Sequence, residues 1–271
     1  MKGIDKIMQD EKIEYYKPLA FSDLKVTRSD LVYGLDFTPA STIIFLIPYY
    51  TGQCENFSAY AASQDYHIYL KQVGNRIVSY IQEVYGAKAA AFCDHSPIDE
   101  RHAAAAAGLG IIGKSGLLIN EKYGTYVFLG EVLTDIPPAA LGAKAAQKIE
   151  RCNNCGACIS ACPTCALSGG GECLSAITQK KGALTDGEAD LLVKFNTVWG
   201  CDECQKACPY NKGVPKTPIS FFYNGRINCL TKDLINGMCK QEFAKYAFAW
   251  RGKKTLLRNL EIFEGKGKGQ S

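Results

Sequence analysis

The chain has no apolar run of membrane length, no secretory leader, no internal repeat outside its cysteine motifs and no large charge of one sign. Its longest strongly apolar stretch, Ile43 to Ile47, falls far short of the ~20 residues that cross a bilayer as a helix. The opening residues, MKGIDKIMQDEK, contain no apolar core of the kind that directs secretion. These two absences point to a cytoplasmic protein without a membrane partner. The formal charge is +4, and from Arg251 onward six basic and two acidic residues leave a surplus of four, so the first 250 residues are balanced. A basic terminal segment suits nucleic-acid phosphates, and it equally suits a solvated helix followed by a Gly/Lys tail. A nucleotide loop is excluded as well. Gly108-Leu-Gly-Ile-Ile-Gly-Lys114 lacks the G-x-x-x-x-G-K-[ST] spacing and follows a helical pattern rather than a strand.

What the chain has in abundance is cysteine, 13 in 271 residues. In a short secreted chain that would mean disulfides, but here the spacing means iron and sulfur. The runs Cys152-Asn-Asn-Cys155-Gly-Ala-Cys158-Ile-Ser-Ala-Cys162-Pro163 and Cys201-Asp-Glu-Cys204-Gln-Lys-Ala-Cys208-Pro209 follow C-x2-C-x2-C-x3-C-P logic. In that pattern three thiolates hold one 4Fe–4S cluster and the fourth reaches the other. Two clusters need eight thiolates and the runs supply seven. The first cluster would take Cys152, Cys155, Cys158 and Cys208, and the second Cys162, Cys201, Cys204 and one more. Cys165 and Cys173 are the candidates. Cys165 lies only three residues past Cys162, whereas Cys173 follows the Gly169-Gly170-Gly171 bend and can approach from another side, which favours Cys173. Cys54, Cys93, Cys165, Cys229 and Cys239 are then spectators.

In chain order, the first forty residues read as a short helix and loops. Ser41 to Tyr50 has the pattern of a buried strand. Gln64 to Tyr85 carries apolar residues at helical spacing and ends at Gly86, and Ala87 to Cys93 is the next strand. Ser96 is placed to cap a helix starting at Pro97, with Asp99 completing a capping-box-like pattern and Gly108 closing it. Asp94 then sits where a strand ends and a helix begins, a common place for a ligand and an equally common place for a turn residue. Thr125 to Leu133 is another strand. Pro137-Pro138 marks a boundary between residues 1–138 and 139–271, Ala139 to Arg151 is a linking helix, and Gln241 to Ile262 is a final helical stretch.

Taken together, Asp65-Tyr66-His67, Asp94-x-x-Pro97-x-x-Glu100-Arg101, Gly108-Leu-Gly-x-x-Gly-Lys114, Phe128-Leu-Gly-Glu131-Val-Leu-Thr-Asp135, Cys162-Pro-Thr164 and Trp199-Gly-Cys-Asp-Glu-Cys-Gln-Lys-Ala-Cys-Pro-Tyr-Asn211 resemble the epoxyqueuosine reductases. The resemblance covers roughly Ile44 to Leu260. It implies an α+β protein: a flavin-reductase-like, cobalamin-binding α/β domain followed by a ferredoxin-like domain with two 4Fe–4S clusters. The implied reaction is reduction of epoxyqueuosine to queuosine in tRNA by a cytoplasmic monomer, with electrons from a flavodoxin- or ferredoxin-type donor. Asp94 matches the family's proton-donating aspartate and Arg101 a nearby arginine. Cys173 matches the isolated cysteine that completes the second cluster. Ser96, Lys114, Ser175, Cys201 and Asp202, with Asp94, are the implied cobalamin contacts, the cofactor lying at the seam of the two domains. Departures are His95-Ser96-Pro97 for the usual Thr/Ser-Gly-Pro, Ala61-Ala62-Ser63-Gln64 for an Arg-rich run, and Cys165 for a glycine. Leu70 replaces the glycine of a corrinoid-ligating Asp-x-His-x-x-Gly, so no histidine ligand to cobalt is expected. The N-terminal region is short and the family's helical-repeat domain does not follow, which makes tRNA a less secure expectation than the redox chemistry. Two other functions fit the same features: a corrinoid reductase of another small electrophile, and a non-catalytic iron–sulfur electron carrier, although a placed acid at Asp94 has no use in a carrier.

Overall fold

The computed structural model describes residues 1–267, so the end of the Gly/Lys tail at 268–271 lies outside the described residues. The chain separates into two compact units, one of residues 1–49 and 66–154, the other of residues 50–65 and 155–271. No helix among the described residues is long and apolar enough to cross a membrane.

The first unit opens with helix α1 (Lys2–Asp10), strand β1 (Tyr16–Ala20) and the short helix α2 (Ser29–Tyr33). β1 lies where loops were expected. The strand lies at the sheet edge, where Pro18 is tolerated, and pairs antiparallel with β2. β2 (Ser41–Pro48) is buried along its whole length, as its continuous apolar run Ile43 to Ile47 requires. Helix α3 (Tyr66–Tyr85) and strand β3 (Ala89–Phe92) follow, then helix α4 (Glu100–Ala106), the two-residue strands β4 (Ile111–Ile112) and β5 (Leu118–Ile119), and β6 (Val127–Thr134). The main sheet has the order β1-β2-β6-β3, antiparallel throughout.

Each face of this sheet is covered by a helix that approaches closely. Gly130 of β6 permits this on one face, since a Cβ there would lie 2.6 Å from Leu70 of α3 and Phe45 of β2. On the other face, the buried alanines 103–107 pack with Ile44 and Leu46, with Leu129 packed against them. The cap of α4 differs from expectation. Asp99, not Ser96, is the N-cap, and its carboxylate accepts the His102 amide. Ser96 is buried, and its hydroxyl accepts the Ile98 amide instead.

Residues 139–151 are not a linking helix. A single 3-10 turn, Pro138–Leu141, closes on Gly142 with φ +65°. The rest runs extended against the first unit, with the Gln147 amide on Ala106 O, the Ile112 amide on Glu150 O and the Cys152 amide on Ile112 O. These backbone bonds hold the segment to the first unit well past the proline pair.

The second unit holds α5 (Ala157–Ser160), α6 (Leu174–Thr178), α7 (Asp186–Lys194), α8 (Glu203–Lys206), α9 (Lys232–Gly237), α10 (Lys240–Phe243) and α11 (Lys253–Gly267). Leu174, Ile177 and Leu192 form one apolar centre with Phe263 packed against it. The final helical stretch is broken, because Gly252 takes φ +82° before α11 begins. Residues 50–65 join this unit through Asn56, whose side chain exchanges hydrogen bonds with the Leu230 backbone, and through a bridge from Phe57 to Trp199.

Candidate functional site

The end of β3 delivers Asp94 into a left-handed turn with φ +58°, a conformation that aspartate tolerates better than most side chains. Its carboxylate is 57 % exposed and meets two donors at the same oxygen. Tyr66, the first residue of α3, donates its phenol to Oδ2, and His67 Nε2 stands 3.2 Å from that atom. Tyr66 is held in turn by rings. It stacks on Phe128 of β6 at 3.9 Å between centroids and on His67 at 4.2 Å, while Phe128 stacks on Tyr49 at 4.3 Å. Partial burial pushes the Asp94 carboxyl up, but the hydrogen bonds from His67 and Tyr66 and the charge on His67 outweigh it and hold the group below the usual carboxylate range. Donor atoms of His67, Cys93 and Asp94 all lie within 4.8 Å of one another.

Behind this turn stand two more carboxyls. The Asp94 amide donates to Glu100 Oε1 at 3.1 Å. Glu131, in the middle of β6 opposite Ile44 and Phe92, is fully buried, with Ser96 and Glu100 facing its carboxyl. Burial pushes both carboxyls up. Repulsion from Glu131 and Asp94 adds to the rise at Glu100; at Glu131, Ser96 and Glu100 oppose it and Asp94 adds to it.

An open cavity of about 550 Å³ lies over these groups, with Arg28, Asp94, Ser96, Arg101, Thr125 and Phe128 among its walls. Arg101 makes no ion pair with Asp94. Its guanidinium donates to Gly116 O at 3.0 Å and lies 3.9 Å from Asp99. Lys114 does not line this cavity; its backbone amide donates to Cys152 Sγ at 3.2 Å. A slightly larger cavity of about 660 Å³ runs along β1 and the end of α4, and none of the site residues predicted from the sequence lines it.

In the second unit the cysteines sit on tight loops and short helices. Cys158 is buried in α5, and Gly156 before it takes φ +80°. Burial raises the Cys162 thiol, but the Leu167, Thr164 and Ala166 amides aimed at its sulfur outweigh that and bring it below its ordinary value. Burial pushes Cys201 up to about 11 and Cys204 up to about 12, with the charge of a nearby Cys173 adding to both. Cys173 itself is exposed at the start of α6, and Cys155 and Cys208 lie on loops. This donor set fits iron. One sulfur is already served by amides, and crowded thiols that resist ionisation alone are deprotonated by a bound cation. Cys165 is exposed and occupies a left-handed position, φ +54°. Ser175 faces Gln179, which donates to both its hydroxyl and its carbonyl. Asp202 is only 4 % exposed, with its carboxylate taken by the Ser58 hydroxyl, the Ala59 amide and Gln205. The Asp202 carboxylate is therefore committed within the fold rather than offered to a cofactor.

Sequence reasoning quoted Tyr66, His67, Glu100 and Glu131 within motifs but gave them no role. The one available signal was the glutamate in the otherwise apolar strand Val127–Thr134.

Residues 151–211 match the family model for a 4Fe-4S double cluster binding domain. The chain is 32 % identical over 216 residues to the epoxyqueuosine reductase of Staphylococcus aureus, covering 75 % of this chain and 54 % of that protein. It is 33 % identical over 230 residues to that of Lactococcus garvieae, covering 80 % and 63 %. The chain thus spans between half and two thirds of these relatives' length. In fold it is similar to the solved epoxyqueuosine reductase of Streptococcus thermophilus, with a TM-score of 0.75 at 23 % identity over 97 % of this chain and 80 % of that one. It is also similar to an epoxyqueuosine reductase solved with an epoxyqueuosine-modified tRNA-Tyr stem loop, at TM-score 0.74 and 21 % identity, over 97 % of this chain and 80 % of that one.

Proposed function

Because this chain is a homologue of the epoxyqueuosine reductases and carries a double 4Fe–4S domain, we propose that it is an oxidoreductase of their kind, reducing epoxyqueuosine to queuosine in tRNA. The observation that carries this reading is Asp94, fixed at a strand end by Tyr66 and His67 and opening onto a cavity. A carrier of electrons has no use for such an acid.

Cys152, Cys155, Cys158 and Cys208 would hold one cluster, and Cys162, Cys173, Cys201 and Cys204 the other. The crowding of Cys173 with Cys201 and Cys204 supports its choice over Cys165. The cavity beside Asp94 suits a cobalamin face, with Arg28, Ser96, Arg101 and Thr125 for polar side arms and Phe128 for apolar contact. When bound, the clusters supply single electrons and cobalamin supplies a nucleophilic metal. The chain's own work is acid–base. Tyr66 and His67 fix Asp94 Oδ2 and hold the carboxylate ionised until a ligand covers it. Covering removes water and favours the neutral acid, which gives its proton to the oxygen leaving the carbocycle. Arg101, anchored on Gly116 O, keeps its remaining donors at the cavity wall.

The test is anaerobic reconstitution with iron, sulfide and cobalamin, then incubation with an epoxyqueuosine-bearing anticodon stem loop and a ferredoxin- or flavodoxin-type reductant. Loss of one oxygen, read by mass spectrometry, is expected. Turnover of a free epoxide with none on the stem loop would transfer the reading to a small-electrophile reductase. Two intact clusters with no turnover and no retained corrinoid would reduce the chain to an electron carrier.

A further inference from the structure

Cys93 has no part in the clusters or in the acid–base chemistry so far, yet it stands directly before Asp94. Consecutive side chains of a strand point to opposite faces. Here β3 stops at Phe92, and the left-handed φ of +58° at Asp94 breaks that alternation. Cys93 Sγ, an Asp94 carboxylate oxygen and a His67 ring nitrogen converge as a result, each within 4.8 Å of the other two. One edge of this triangle is short, with His67 Nε2 at 3.2 Å from Asp94 Oδ2. Zinc bonds of about 2.0–2.2 Å to nitrogen and oxygen set tetrahedral ligand atoms about 3.3–3.6 Å apart, so that edge is already near the length a bound ion needs. A thiolate about 2.3 Å from the same ion stands about 3.6 Å from the other donors, and at most about 1.2 Å of movement brings Cys93 Sγ there. The donors are also braced as metal ligands are. Tyr66 donates its phenol to the same carboxylate and stacks on both His67 and Phe128. The Asp94 amide is tied to Glu100 Oε1. Arg101 and Arg28, the guanidiniums of the cavity, bond Gly116 O and Asp30, so neither takes the Asp94 carboxylate. The His67 and Asp94 side chains are about half exposed, which leaves an approach from solvent.

We propose that His67, Cys93 and Asp94 form a zinc site with water in the fourth position, and that zinc bound there silences the acid. An imidazole, a thiolate and a carboxylate together carry two negative charges, which neutralise a divalent ion. This nitrogen, sulfur and oxygen set suits Zn2+ rather than Mg2+ or Ca2+, which take oxygen ligands. A plain ion pair would use His67 and Asp94 alone. The thiol turns that contact of two into a ligand set of three. On binding, the Cys93 thiol gives its proton to solvent and its sulfur goes to the ion. The Asp94 oxygen that binds zinc can no longer hold a proton for a leaving group. Occupancy by zinc and service as an acid therefore exclude each other at Asp94. The silencing rests on the reductase reading, whereas the site itself does not.

The experiment uses the full chain, reconstituted anaerobically so that iron and sulfide occupy the cluster cysteines, and the probe is Zn2+ alone. After desalting, wild type should retain one zinc per chain. Zinc-edge X-ray absorption should place one sulfur at about 2.3 Å and nitrogen or oxygen at about 2.0–2.2 Å. Tyr66→Phe, which removes only the outer donor, should weaken zinc binding by about 10–100-fold, and Cys93→Ala, which removes a ligand, by more. Cys165→Ala should retain zinc as wild type does, with iron content and cluster absorbance as the check on folding in every variant. Stem-loop turnover of wild type should fall in step with zinc occupancy and return when a chelator removes the ion. Cys93→Ala should turn over as wild type does and resist zinc. No zinc retained by wild type, no sulfur in its spectrum, or equal zinc in Cys93→Ala overturns the site. Zinc bound through that sulfur with turnover unchanged overturns the silencing. A wild type that holds zinc in this way but, freed of it, leaves the stem loop untouched overturns the reductase reading and leaves the site standing.

Discussion

The same dipeptide, Cys-Asp, occurs at 93–94 and at 201–202, and the two aspartates have opposite lives. Asp94 lies in a left-handed turn of the first unit, more than half exposed, with its carboxyl held low chiefly by side-chain donors that outweigh burial. Asp202 lies in the second unit, almost fully buried. Burial pushes its carboxyl up in spite of Ser58, Ala59 and Gln205, which all bond it. The first has an open side and a cavity over it. The second has its hydrogen-bonding capacity consumed by the segment 50–65 and its own helix. The chemistry available to a carboxylate is therefore set by what closes around it, and the dipeptide alone says nothing of which role it takes.

The widest difference between the two should come from Asp94→Asn. It should cut turnover by about 10²–10⁴-fold with both clusters and thermal stability unchanged, as read by steady-state assay, iron analysis and calorimetry. Wild-type turnover in that variant would make water the proton source. Next in size, Cys173→Ala should remove one cluster's share of the iron, while Cys165→Ala should leave all of it. The reverse pattern would exchange their assignments. Asp202→Ala should act on stability instead, lowering it by about 1–3 kcal/mol because Ser58, the Ala59 amide and Gln205 lose a buried acceptor. Denaturant unfolding measures this, and an unchanged midpoint would mean that water replaces the carboxylate.

Glu131 offers a third environment, buried like Asp202 but facing a second carboxyl, that of Glu100, as well as Ser96. Its native carboxyl, like that of Glu100, is raised above the unfolded value of roughly 4.3. The folded state then holds protons that the unfolded chain has lost, so stability is full below that value and falls as pH rises through the raised native values. Glu131→Gln should thus raise the melting temperature at pH 8 and leave it nearly unchanged at pH 4. A gain equal at both would mean that the site never holds a proton. The smallest effect is expected at Cys165, which pays for a positive φ that glycine adopts freely. Cys165→Gly should stabilise by no more than about 1 kcal/mol, with iron content unchanged.

Elements whose pattern matches their surroundings were legible in the sequence. β2 carries a continuous apolar run, Ile43 to Ile47, because both its faces are covered, and α3 repeats its apolar residues on the side that packs. The cysteine spacing was legible because it encodes a local loop. β1 was not, since its pairing with β2 places Pro18 opposite Ile43 in a strand that no local pattern marks. The cap at Asp99 was misread as Ser96 because two residues of suitable type precede α4, and only the Ile98 amide decides which one is free. At the site, the strand-end placement of Asp94 could be read. The partners of Asp94 could not. Tyr66 and His67 are 28 and 27 residues away, and Glu100 meets Glu131 only through the packing of α4 on the sheet.

The membership of residues 50–65 in the second unit has a consequence for how the protein is made. This segment leaves the ribosome early, directly after β2, yet its partners Trp199, Asp202 and Leu230 come far later. At about 5–20 residues per second, Ser58 and Asn56 wait on the order of ten seconds for the groups that satisfy them. Throughout that interval the nascent chain carries a tethered loop with unfilled hydrogen bonds. The buried carboxylate of Asp202 likewise finds its donors, the Ser58 hydroxyl and the Ala59 amide, ready when it emerges. Iron loading of Cys201 and Cys204, whose loop is anchored on that network, would then be among the last steps of maturation, after translation has passed Leu230.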